Sequence, residues 1–235
     1  MAVSVDTVYQ RVLALANKEQ RGYITPQEFN LFANQIQQDI FEQYFYDINQ
    51  WSRQHGNSTE FSDMLSLLEE KLSLFEVESG AAGFLNVVGG GMVIPDEIYR
   101  LGTVRVEGAQ VEMLTSKEFD ATRFAPLTAP TSTRPIGYLT SAGLYVATGA
   151  STFAAPADIN LSYIRKPAKV EWAYVVVNDK ALYNDNISVD FELHASEESE
   201  LVYRILMLSG VAIKKPELTQ VAASLEGARA QEEKK

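Results

Sequence analysis

Apolar residues recur at every third or fourth position through the first 79 residues, and after that the pattern changes. Val5, Val8, Tyr9, Val12, Leu13 and Leu15 follow the helical period after Asp6, which predicts a helix over 5–17. Thr25, Pro26 and Glu28 supply an N-cap, the proline favoured at the first helical position and a capping-box glutamate. They open a long helix in which Phe29, Phe32, Ala33, Ile36, Ile40, Phe41, Tyr44, Phe45 and Ile48 keep the period to about Gln54, with Asn and Gln elsewhere. His55-Gly-Asn-Ser reads as a turn, and Asn57 with Glu60 starts a third helix, about 58–75. Its apolar face is Phe61, Met64, Leu65, Leu68, Leu72 and Phe75. Three such helices with short connections predict an antiparallel bundle over residues 1–79, its aromatic stripe forming core.

From Gly80 the helix formers disappear. Short β-branched or aromatic runs follow: Val87-Val88, Ile98 to Val106, Ala109 to Leu114, Gly137 to Thr140, Leu144 to Thr148, Ile159 to Ile164, Trp172 to Val177 and Ile187 to Leu193. Prolines 95, 126, 130, 135, 156 and 167 lie between the runs, as ladder hydrogen bonding requires. A β-rich module over 80–193, a sandwich or barrel-like array, is the expectation. Ser196-Glu-Glu-Ser-Glu then reads as an N-cap with acids at the positive end of a helix dipole. The helix it opens carries Leu201, Val202, Ile205, Leu206 and Leu208 and ends at Gly210. A weaker helix over 216–230 offers only Leu218, Val221, Ala222 and Leu225, a stripe too thin to hold a terminal helix without a partner groove. The fold class is therefore α+β, in three segments: 1–79, 80–193 and 194–235.

Composition narrows the chemistry. The 235 residues contain no cysteine, which excludes disulfides, thiolate metal sites and a cysteine nucleophile. His55 and His194 lie too far apart in sequence for an H-x-x-x-H zinc pattern. The opening residues lack a basic and apolar leader, and no window reaches about 18 apolar residues, so a cytosol-like compartment without membrane insertion is expected. The net charge of −11 is carried by the two ends, while 81–180 holds 9 acids and 9 bases. A surface of that sign repels phosphate.

Each local motif has an ordinary explanation. Residues 17–28 align with a calcium-binding loop at Gly22, Ile24 and Glu28, but Arg21 stands at a ligand position and Asn17 removes a charge, so calcium should not bind and Glu28 serves the cap with Thr25. Gly89, Gly90 and Gly91 lack the Lys and spacing of a phosphate loop and read as a mobile segment that could touch a neighbour in an assembly. Asp190, His194 and Ser196 look like a triad on paper, yet lie on one local segment where Ser196 suits a helix cap. Arg165, Lys166 and Lys169 form a basic patch suited to protecting a strand edge. No catalytic, cofactor-binding or metal-ligating residue is assigned, and no enzyme is expected.

Several segments point further: residues 17–30, Ile-Pro-Asp-Glu-Ile-Tyr-Arg-Leu at 94–101, Pro-Leu-Thr-Ala-Pro-Thr at 126–131, Tyr-Ile-Arg-Lys-Pro at 163–167 and Asp-Phe-Glu-Leu-His-Ala-Ser-Glu-Glu at 190–198. In these the chain resembles virion structural proteins of tailed bacteriophages, and in size and helix-β-helix order it is most like head-to-tail connector or adaptor proteins. The resemblance implies a virion protein made in the host bacterial cytoplasm. It implies a closed ring under the portal, typically twelvefold, touching portal and other neck or tail proteins. DNA would pass through during packaging and ejection without sequence-specific binding. The interface residues expected on this reading are Leu218, Val221, Ala222, Leu225, Gly89, Gly90 and Gly91. The alternative is a carbohydrate- or host-surface-binding virion module in which Trp172 and Tyr174 would hold the ligand.

Overall fold

A computed structural model describes residues 3–17, 24–53, 59–80, 86–87, 91–155, 158–178, 180–212, 220 and 222–227. In chain order the elements are α1 (Val5–Asn17), α2 (Pro26–Arg53), α3 (Thr59–Ser73), β1 (Glu76–Gly80), β2 (Asn86–Val87), β3 (Gly91–Met92), β4 (Ile98–Val106), β5 (Ala109–Gln110) and β6 (Glu112–Met113). There follow α4 (Ser116–Arg123), β7 (Ile136–Thr140), β8 (Gly143–Ala147), β9 (Ile159–Arg165), β10 (Tyr174–Val177), β11 (Lys180–Tyr183) and, after a 3-10 turn at Ala195–Glu197, α5 (Glu198–Ala212). The fold is α+β, with helices first, strands in the middle and a helix near the end.

Compactness divides the chain differently from the three sequence segments: residues 1–74 fold with 167–235, and 75–166 form a second unit. Residues 167–193, grouped in the sequence with the β-rich module, thus belong with the helices. The reason is a set of long-range hydrogen bonds from the polar side of α2. Asn34 donates to Val170 O at 2.8 Å and accepts from Val170 N–H at 2.9 Å. Asn30 does the same for Trp172, at 3.3 and 2.9 Å. Gln37 donates to Ala168 O at 2.7 Å and accepts from Glu192 N–H at 3.1 Å. A helix rises about 1.5 Å per residue and a strand about 3.3 Å, so amides three or four positions apart on α2 meet alternate residues of an extended chain.

In this helical unit α5 packs against α1 and α2, and α2 also packs against α3. The apolar positions named by the helical period supply the core: Val8, Tyr9 and Val12 of α1, Phe29, Ile36, Ile40 and Phe41 of α2, and Leu201, Val202, Ile205 and Leu206 of α5 are buried. The capping box at the start of α2 is made, since Thr25 N–H and Oγ1 reach Glu28 Oε2 at 3.0 and 2.8 Å. Residues 18–23 of the calcium-loop alignment lie outside the described residues. At the other end, α5 runs two residues beyond Gly210.

The second unit is a β-sandwich. One sheet, antiparallel throughout, has the order β1-β9-β4-β5, and the other, β2-β3-β8-β7-β6, is antiparallel except for the parallel pair β6–β7. Val104, Val106, Ile159, Leu161 and Tyr163 of the first sheet share a core with Met92, Leu144 and Val146 of the second. A two-residue turn at Glu107-Gly108, both with positive φ, joins β4 to β5. Buried Val111 donates to Val104 O, and the next residue bonds Pro135 O, so the chain changes sheet there. Sequence reading placed no helix in this stretch, yet Thr115 and Glu118 form a capping box for α4, whose Phe119 covers Ile136 and Ala147 on the outer side of the second sheet. Thr115 hydrogen bonds hold the Glu118 carboxyl below its usual range, its side chain contributing most.

Asn34→Ala orphans both backbone groups of Val170 and should cost about 1–3 kcal/mol, read as a lower urea midpoint. Gln38→Ala, which removes only an exposed bond to Glu42, should stay within about 0.5 kcal/mol. Because the folded-state pKa of Glu118 is depressed, its contribution is full above the unfolded carboxylate value and disappears as pH falls through the folded one. The stability gap between wild type and Glu118→Gln should therefore shrink on acidification.

Candidate functional site

Two regions gather side chains that could act on other molecules. The first lies where α3 meets the start of α5. Glu197 is only 3% exposed and is held by Lys71 Nζ at 2.6 Å, with Lys71 also 5.6 Å from the centre of the Tyr44 ring. Ser196 Oγ lies 2.9 Å from His194 Nδ1 and 3.3 Å from Glu197 Oε1. His194 is the N-cap of the 3-10 turn, its Nδ1 accepting from Ser196 N–H, a role that sequence reading gave to Ser196. Asp190 lies in another network, accepting from Val5 N–H at 2.8 Å at the start of α1. The three residues of the paper triad are thus bonded as a turn and as a helix start. A hollow of about 310 Å³ opens beside this cluster, with Met64, Leu67 and Leu68 giving it an apolar wall and Glu70 and His194 at its edge.

The second region is the hairpin β10–β11. Tyr174 pairs with Tyr183 and Val177 with Lys180, across a turn in which Asn178 has φ of 52°. Its base is anchored by Trp172, which stacks on Tyr174 and Tyr183 at 5.8 and 5.6 Å. Burial is the largest influence on Tyr183 and raises its pKa. Above that base the apolar side chains are uncovered: Val176 is 62% exposed, Leu182 52%, and Val175 and Val177 nearly as much. Sequence reading found the strand 172–177 but neither its partner nor this exposure. No signal in the sequence marks it, because three successive valines before Asn-Asp read equally as a strand buried on both faces.

Ala222, expected at an interface, is fully buried within its own chain, because residues 222–227 are helical and Glu226 pairs with Arg204 of α5 at 3.0 Å. Leu225 is 38% exposed, and Leu218 and Val221 lie outside the described residues, as do Gly89 and Gly90. Gly91 is a strand residue paired with Tyr145, and a Cβ there would come within 2.7 Å of the Tyr145 ring, so close packing rather than mobility accounts for it. Trp172 is buried, and its Nε1–H donates to Asp6 at 2.9 Å, so its ring is unavailable as a ligand platform. A hollow of about 430 Å³ on the outer face of the first sheet is lined by polar groups such as Arg105, Asn160 and Ser162, with no aromatic ring among its described residues. Arg165 lies over the Phe75 ring, and Lys166 N–H bonds Glu97 O.

No protein-family model and no curated protein matches the chain. Among the described residues no His, Asp and Glu cluster suits a metal ion, and no helix is long and apolar enough to cross a membrane.

Lys71→Met removes the cation that faces the buried Glu197 carboxylate and should destabilise by about 3 kcal/mol. Lys71→Met with Glu197→Leu should recover most of that loss. A denaturant double-mutant cycle checks it, and additive losses would refute the pairing. His194→Ala should cost about 1 kcal/mol, the size of a lost cap.

Proposed function

We propose that the chain is a structural subunit of a phage virion neck, a head-to-tail connector that assembles as a closed ring below the portal. The observation that carries this reading is the uncovered apolar ribbon β10–β11. A two-stranded hairpin is marginal by itself in water, and contiguous exposed apolar surface marks a site of protein contact. Polar side chains that could perform chemistry are instead engaged as clamps and caps: Asn30, Asn34 and Gln37 on the extended segment, His194 on its turn, and Glu197 on Lys71. A ring of subunits each carrying −11 has a wall that repels DNA phosphates, which suits passage without sequence-specific grip. The portal protein and neighbouring neck or tail proteins are the partners on this reading, with the protein resident in the virion after synthesis in the host bacterial cytoplasm.

Purified protein imaged by negative stain and weighed by native mass spectrometry should give closed rings with a central channel, twelvefold in the typical case. Trimers would favour the host-surface-binding alternative, and a monomer at every concentration would discard the ring.

A further inference from the structure

The hairpin and the α3 hollow complement each other. The hairpin presents Val175, Val176, Val177 and Leu182, all exposed, and ends in exposed Lys180. The hollow presents Met64, Leu67 and Leu68 behind exposed Glu70, with Leu67 itself half exposed. Its volume of about 310 Å³ sits at the low end for a binding pocket, which suits a few side chains at a hairpin tip better than a whole helix. Both features belong to the one compact unit formed by 1–74 and 167–235, so every copy carries both halves. A contact between two different patches of the same chain is heterologous, and heterologous contacts are the kind that propagate into rings.

We propose that the β10–β11 hairpin of one copy docks in the α3 hollow of the next, with Val175 and Leu182, paired on one face of the hairpin, against Leu67 and with Lys180 of that same face opposite Glu70. This rests on the ring reading and names the surfaces that would build it. Burying the valines removes apolar area from water, which drives the contact, while the Lys180–Glu70 pair on its rim sets register more than affinity. Four strand residues reach about 13 Å, enough for the arm to enter a neighbour while its Trp172 base stays fixed.

Two experiments test it, each using the full chain. Val175→Asp and Leu67→Asp alter exposed side chains and should leave the circular dichroism unchanged while raising the concentration for half-assembly at least tenfold. Lys180→Glu and Glu70→Lys should each weaken assembly and together restore it. Because the chain has no cysteine, V175C with L67C on one chain provides a clean cross-link: mild oxidation should give a ladder of linked subunits, and neither single variant should. Closed rings that survive Val175→Asp and show no such ladder would discard this contact and keep the ring. A ladder of open chains without closed rings would keep the contact and discard the ring. Neither ring nor ladder discards both.

Discussion

Three amides on one side of α2 hold the helical unit together. Asn30, Asn34 and Gln37 treat the segment from Ala168 to Trp172 as a neighbouring strand would, answering both backbone groups of Val170 and Trp172. That segment is where the chain returns from the sandwich. Its placement puts Trp172 beside Tyr9 and Asp6 of α1, and Gln37 goes on to bind Glu192, next to Phe191, which pairs with Val3. α5 begins a few residues later, so the position of the most apolar helix follows from the amides. A helix can grip extended backbone only if its polar side has the right spacing, and a single displaced amide would leave an N–H and a C=O with neither water nor partner.

The helices were legible because their period is local. Val5 to Asn17 and the start at Thr25-Pro26 were marked by spacing and caps, and the long runs Ile98 to Val106 and Ile159 to Ile164 stood out as strands. The amide ladder was not legible. Asn and Gln off the apolar stripe read as solvated surface, and nothing in a linear pattern distinguishes an amide facing water from one facing residue 170. That is why 167–193 was grouped with the strands. β1, Glu-Val-Glu-Ser-Gly, escaped notice because its stability comes from pairing with β9 and not from its own composition. α4 carried a legible Thr-x-x-Glu start, but its eight residues show one buried side chain and no helical stripe.

The candidate site divides in the same way. Cap chemistry near His194 could be anticipated as local hydrogen bonding, although the capping residue itself differs by two positions. Exposure of the hairpin could not, since Val-Val-Val looks the same whether a strand is central or projecting. Ala222 of the tail stripe was misread for the opposite reason. Ala222 has too small a side chain to advertise burial, and its place was determined by the distant Arg204 that pairs with Glu226.

The division into one unit that is contiguous and one that is not has a consequence for how the chain folds. Residues 75–166 are complete as soon as the ribosome has released them, and their sandwich can form while the rest is being made. The first three helices cannot complete their core then, because α5 and the returning segment have not yet been synthesised. Once the sandwich has formed, it gathers 92 residues into a compact insert and shortens the flexible loop that must close before α1 and α2 meet α5. The order of synthesis is therefore the reverse of the order of closure: the helices that emerge first finish last, and the net negative charge of α2, with Glu28, Asp39, Glu42 and Asp47 against Arg53, helps keep them soluble while they wait.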